Sequence, residues 1–124
     1  MKRLMDESYF LYWEDTEWCA RALEKGYKIL FVPGSRIWHK VSATAEENPF
    51  SQYYYYIRNG LYFLSGYDRT SLPRFILFNL LYAVYSTIKG NIQVIQGTTQ
   101  GFVDFMRKQK GQKRSASTEG AGGY

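Results

Sequence analysis

The chain has 124 residues, 45% of them hydrophobic and 19% aromatic, which suffices for one small domain with a modest core and is too apolar for a disordered chain. Its formal charge of +5 is unevenly placed: residues 107–114 (RKQKGQKR) hold five basic and no acidic residues, so the body is nearly neutral and gives no argument for a nucleic-acid-binding fold. The single Cys19 excludes an internal disulfide framework and a multi-cysteine zinc site, and it fits a reducing compartment.

The first residues (MKRLMDESYF) lack an apolar h-region, so no signal peptide is expected. An acidic and aromatic segment, residues 6–15, comes next. A helix follows, with Asp15 or Thr16 as its cap and Gly26 as its stop. Trp18, Cys19, Ala22 and Leu23 share one side of it, and Glu17 and Arg21 form an i, i+4 pair on the other. The apolar run 29–32, bounded by Pro33 and Gly34, predicts a buried strand, and residues 36–39 a second extended piece. Residues 41–49 have the composition of a loop.

Asn48 followed by Pro49 starts a helix that carries the tyrosines 53–56 and stops near Gly66. Ser71 caps the next helix, which runs to Lys89 with Gly90 as its stop. It is apolar almost all round and therefore belongs in a core, against a partner or at a lipid surface. Its stretch 75–88 covers only about 21 Å as a helix, too little to span a bilayer. Residues 91–107 form a weaker helix, because Gly97 and Gly101 each cost about 1 kcal/mol relative to Ala. Residues 111–124 have the small-residue composition of a flexible tail. The isolated chain is expected to be α+β and mostly helical after residue 49. It divides into a motif region 1–66, apolar helices 67–106 and a basic tail 107–124.

The segment DESYFLYWEDTEWCAR (residues 6–21), continued by Gly26, Pro33, Trp38 and His39, resembles the C-terminal motif region of glycosyltransferase family 2. These are the inverting GT-A enzymes, and the likeness is to the rhamnosyltransferase-like members in particular. The family pattern runs D-E-x-F/Y-F, then Y-x-E-D-x-D, then R, G, P and a closing H. Glu17 stands where the family more often has Asp. A later Y-x-x-R-N element matches Tyr55, Arg58 and Asn59. The resemblance covers about half the chain and implies the C-terminal, acceptor-side part of a GT-A α/β fold.

An inverting transferase needs a base to take the acceptor's proton as the hydroxyl attacks the anomeric carbon. The resemblance makes Asp15 that base, with Glu14 beside it shaping acceptor contacts. A carboxylate at a helix start is held rigidly and kept ionised by the dipole. Asp15 also suits an ordinary N-cap, and the two roles are compatible because a cap uses one oxygen. Arg21 is either a partner of the acidic cluster in the cleft or the helix partner of Glu17. The resemblance assigns Trp13, Arg21, Tyr55, Arg58 and Asn59 to substrate binding. His39 is a candidate to ligate Mg²⁺ or Mn²⁺ or to bind diphosphate, or else a structural hydrogen-bonder. The tyrosines 53–56 with Arg58 line an acceptor cleft or sit at a membrane interface, or else Tyr53, Tyr56 and Gly60 pack against the core.

A complete enzyme of this kind also needs a nucleotide-binding half with a D-x-D-type motif for the metal and the sugar diphosphate. No D-x-D triplet occurs in this sequence. The resemblance therefore implies a chain inactive alone, completed by a missing half or by a homodimer. Nucleotide sugar, glycan or lipid-linked acceptor and divalent cation then belong to the complete enzyme. Rhamnose transfer to a cell-surface polysaccharide is the family-level expectation. The apolar stretch 75–88 and the basic cluster together suggest peripheral attachment to the cytoplasmic face of an anionic membrane. The alternative is a non-enzymatic membrane- or partner-binding module derived from such an enzyme.

Overall fold

The computed structural model describes residues 5–38 and 48–113. Among them are four α-helices, a single 3₁₀ turn and no strand. Helix α1 spans Glu14–Glu24, α2 Pro49–Tyr67, α3 Leu72–Ile88 and α4 Ile92–Met106, with the 3₁₀ turn Arg69–Ser71 joining α2 to α3. The expected α+β class is thus corrected, and with it the GT-A α/β architecture for this chain.

The physical reason lies in residues 29–32 and 36–38, which have no partner strand among the described residues to complete a ladder. Their apolar side chains stand in solvent, Leu30 at 77% and Phe31 at 89% of full exposure. Apolar runs flanked by Pro and Gly carry strand propensity, but a strand exists only where another backbone accepts its hydrogen bonds. His39 and residues 114–124 of the basic tail lie outside the described residues.

The helix signals around α2 act as the sequence indicates. Asn48 caps α2, its Oδ1 accepting from the Ser51 amide at 3.0 Å, and Pro49 occupies the first turn. Gly26 and Gly90 take left-handed conformations, φ 80° and 92°, just past α1 and α3. Entry to α3 differs: Asp68, not Ser71, supplies the capping carboxylate, accepting from the Ser71 amide at 3.3 Å and the Ser71 hydroxyl at 2.6 Å. Entry to α1 differs as well. Its cap position is Trp13, whose side chain makes no capping bond, and Asp15 lies inside the first turn.

Helix α2 is the centre of the molecule, burying Tyr54, Tyr55, Ile57, Arg58, Asn59, Gly60, Leu61 and Leu64. It packs along α4 so closely that the two backbones touch at two glycines. A Cβ on Gly101 would stand 2.7 Å from the Tyr54 carbonyl oxygen, and one on Gly97 would collide with the Phe50 carbonyl oxygen. The glycines that weaken α4 as an isolated helix are the seam that lets it dock. Helix α3 lies mainly against α4, burying Asn79, Ala83 and Ser86 and leaving most of its large apolar side chains outside.

These contacts predict opposite outcomes for one substitution type. Gly97→Ala and Gly101→Ala should each destabilise the fold by about 1–3 kcal/mol, because backbone atoms cannot yield to the new methyl. Gly66→Ala, in the same helical context but with open space around it, should stabilise by about 0.5–1 kcal/mol. Urea denaturation midpoints of the three variants would check this, and a neutral Gly101→Ala would mean that α2 and α4 lie farther apart than described.

Candidate active site

The site begins in the turn that feeds α1. Tyr12 and Trp13 both adopt left-handed backbone conformations, φ 63° and 71°. Two consecutive non-glycine residues in that region are costly and persist only where surroundings enforce them. Here they are gripped from two sides. The Asn59 amide donates to the carbonyls of Leu11 at 2.7 Å and Tyr12 at 3.2 Å. The Trp13 indole N–H donates to the Tyr56 carbonyl at 3.0 Å. The indole lies among Tyr56, Phe63 and Phe75, with ring centroids 5.7, 5.2 and 5.9 Å away. Gly60 opens the slot: a Cβ there would stand 3.0 Å from the indole and 2.6 Å from the Phe75 ring.

The carboxylates follow at once. Asp15 is exposed, and its Oδ1 accepts from the Thr16 amide at 2.7 Å and the Thr16 hydroxyl at 3.3 Å. Glu14 is half-buried, and its Oε2 is shielded from solvent without a hydrogen bond from any described residue. Glu17 is buried between the Arg21 guanidinium at 3.2 Å and the Tyr67 hydroxyl at 3.1 Å. The buried side of α1 is therefore the one carrying Glu17 and Ala22, while Trp18 and Leu23 face outward. Burial, and next the charge of Glu17, push the Tyr9 phenol well above its ordinary range. Three acids in the first turn of α1 are favourably placed with respect to the helix dipole.

An aromatic cleft of about 320 Å³ opens beside this turn. Tyr12, Tyr53, Tyr56, Phe78 and Tyr82 line it, with Gln52 and Asn79 as polar members. Tyr53 and Tyr82 stack with centroids 5.7 Å apart, and Tyr12 meets Tyr56 edge-on at 6.3 Å. Burial raises the Tyr12 phenol and the Glu14 charge adds to it, so carboxylate and cleft are electrostatic neighbours. The run of four tyrosines splits by helix geometry, and the core pair is not the expected Tyr53 and Tyr56: these face the cleft, while Tyr54 and Tyr55 are buried.

Tyr55, Arg58 and Asn59 sit in the interior. Arg58 is 1% and Asn59 0% exposed. Arg58 donates to Asn59 Oδ1 from Nε at 3.1 Å and Nη2 at 3.0 Å, to the Tyr54 hydroxyl at 3.1 Å and to the Gly111 carbonyl at 2.7 Å. The Tyr55 hydroxyl accepts from the Lys113 amide at 2.9 Å. The structure thus brings together Trp13, Glu14 and Asp15, and it holds Asn59 behind them as a brace. His39 lies outside the described residues. Among those residues, no group of three or more His, Cys, Asp or Glu side chains is arranged to hold a metal ion. No step below runs through the Mg²⁺ or Mn²⁺ that the resemblance implies.

Sequence reasoning missed Tyr12, Gln52, Phe78, Asn79 and Tyr82 as cleft residues. The one signal was the pairing of aromatics at i, i+3 and i, i+4 (Tyr53 with Tyr56, Phe78 with Tyr82), submerged in helices rich in aromatics throughout.

No family model matches the chain, and no solved structure matches it. A stretch of 52 residues is 35% identical to a galactofuranosyltransferase of Mycobacterium tuberculosis, covering 42% of this chain and 8% of that protein. The chain is thus similar over part of its length to a glycosyltransferase and spans a small fraction of that relative. Nothing in the likeness specifies rhamnose or an acceptor.

The tyrosines make alkaline stability a readout of this packing. Burial, reinforced by the hydrogen bond to Asp104, pushes Tyr54 from about 10 up to about 12, and burial raises Tyr9 and Tyr53 as well. A phenol that holds its proton more tightly when folded stabilises the fold fully below its unfolded value, and that contribution is lost as pH rises through the folded value. Urea midpoints should accordingly fall between about pH 10 and pH 12. Phenolate absorbance of the native chain should lag that of the chain in urea. Coincident titration curves would show these phenols to be solvent-accessible.

Proposed function

We propose that this chain is the acceptor-side part of an inverting, nucleotide-sugar-dependent glycosyltransferase of family 2, completed by a nucleotide-binding half outside it. The observation that carries the reading is the exposed Asp15, with Glu14 before it, on a braced turn beside an aromatic cleft. Asp15 takes the proton from the acceptor hydroxyl. That oxygen attacks the anomeric carbon from the face opposite the nucleotide diphosphate, the bond to the diphosphate breaks, and the sugar is transferred with inversion. The aromatic faces of Tyr53, Tyr56 and Phe78 offer stacking platforms for the apolar faces of acceptor sugars, and Gln52 and Asn79 offer polar orientation. Trp13 and Asn59 position the carboxylates.

The need for a second half is supported by the segment after α1, where Phe31, Ile37 and Trp38 are 89%, 86% and 96% exposed. Such side chains belong under another surface. Rhamnose is the donor sugar that the motif order favours, with a cell-surface polysaccharide or its lipid-linked precursor as acceptor.

The purified chain alone should transfer no sugar. Reconstituted with a nucleotide-binding half, the Asp15→Asn variant should lose about 10²–10⁴-fold in kcat, the usual worth of a general base, with the acceptor KM little changed. Tyr53→Ala should chiefly raise that KM. Full kcat in the Asn variant would move the base elsewhere, and turnover by the chain alone would remove the need for a second half.

A second reading, peripheral attachment to an anionic membrane, is favoured by the outward face of α3. Leu77, Phe78, Leu81, Val84, Tyr85 and Ile88 are all exposed there. No helix among the described residues is long and apolar enough to cross a membrane, so this face would lie along a bilayer. Co-sedimentation with vesicles should rise with anionic lipid, fall with salt, and drop in the Leu81→Asp, Ile88→Asp double variant. A folded chain that stays in the supernatant with fully anionic vesicles at low salt would overturn the reading.

A further inference from the structure

The basic cluster after α4 is an organised turn, and it forms one wall of a second cleft. Lys108 and Gly111 take left-handed conformations, φ 59° and 72°, which fold the segment back over the helical body. The Gly111 carbonyl accepts from the buried Arg58, the Gly111 amide donates to the Ser8 carbonyl at 2.9 Å, and the Lys113 amide donates to the Tyr55 hydroxyl at 2.9 Å. Backbone anchors at residues 111 and 113 fix where the neighbouring cations point.

The cleft so enclosed measures about 610 Å³ and is lined by Arg58, Arg107, Lys110 and Lys113 against one carboxylate, Asp104. That carboxylate is engaged inside the fold. It accepts from the Tyr54 hydroxyl at 2.8 Å and the Gln100 amide at 2.9 Å, with the Lys113 ammonium 3.9 Å away. The lysines are held by aromatic faces: Lys110 Nζ is 4.9 Å from the Tyr62 ring centre and Lys113 Nζ 4.8 Å from that of Tyr54. Such contacts draw a cation onto the ring and restrict its excursions. Three cations in excess, in a concave, polar and partly preorganised space, make an anion site.

The geometry points to a diphosphate group as the occupant of this cleft. A flat bilayer surface would meet cations on a convex face, whereas these line a hollow with a buried guanidinium in its wall. Two linked phosphoryl groups supply several acceptor oxygens and a charge that matches the excess, and ammonium and guanidinium donors bind such oxygens through short charge-assisted hydrogen bonds. The group belongs either to a nucleoside diphosphate or to a lipid-linked diphosphate. This inference does not depend on the assignment of Asp15.

Isothermal titration of the full chain with inorganic pyrophosphate at low ionic strength tests it. Saturable one-site binding is expected. The Arg107→Gln, Lys110→Gln double variant should bind about tenfold more weakly or worse, corresponding to one or more lost charge-assisted bonds. Both residues are exposed, so circular dichroism melting of that variant should match the parent. The charge-conserving Arg107→Lys, Lys110→Arg variant should retain binding. Competition with uridine diphosphate and with geranyl diphosphate separates the sources. Tighter binding of the first assigns a nucleoside diphosphate, tighter binding of the second a lipid-linked one, and equal binding shows that the diphosphate alone is recognised. No saturable heat with the wild-type chain, or equal affinity in the Gln variant, would overturn the proposal.

Discussion

Everything in this molecule hangs on the adjacent pair Arg58 and Asn59 in the middle of α2. One guanidinium and one amide, both sealed from water, collect the segment before α1 through the Leu11 and Tyr12 carbonyls and the turn after α4 through the Gly111 carbonyl. Arg58 also donates to the Tyr54 hydroxyl, which donates in turn to Asp104 on α4. Burying a guanidinium is tolerable only when its donors are met, and here four hydrogen bonds and two tyrosine rings meet it. Apolar packing gives the helices their affinity for one another. The polar pair decides which loops lie where, and so fixes the turn that carries the carboxylates.

Helix existence was legible because its signals are local. Asn48 and Pro49 announce α2, and Gly26 and Gly90 end α1 and α3, through chemistry that needs no distant partner. Apart from the cap positions of α1 and α3, the failures involve partners. The run 29–32 has strand composition, but a strand is a property of two backbones. On the apolar side of α1 only Ala22 is buried while Trp18 and Leu23 are exposed, and Glu17 from the other side is buried instead, which hydrophobic patterning does not rank. A carboxylate met by Arg21 and Tyr67 becomes buriable, and Tyr67 lies fifty residues away in sequence. Gly97 and Gly101 carry an intrinsic penalty in a lone helix and an advantage in a paired one, and only the pairing decides the sign.

The candidate site divides the same way. Glu14 and Asp15 were legible from the order of a motif. Tyr55, Arg58 and Asn59 were legible as a motif element but not as buried residues, since a motif records which residues recur together and is silent on whether they touch a ligand or hold the loop that does. The cleft was not legible as a unit. Its members come from the turn before α1, from α2 and from α3, and each taken singly looks like an ordinary packing aromatic. The split between inward Tyr54 and Tyr55 and outward Tyr53 and Tyr56 follows from helix periodicity once the buried face of α2 is known.

The hydrogen bond between the Gly111 amide and the Ser8 carbonyl has a topological meaning. The segments leading into and out of the helical body run side by side at that point, so the body is entered and left along one edge. A unit of that kind can be hosted within another polypeptide, or have its order of segments circularly permuted, with little disturbance to its interior.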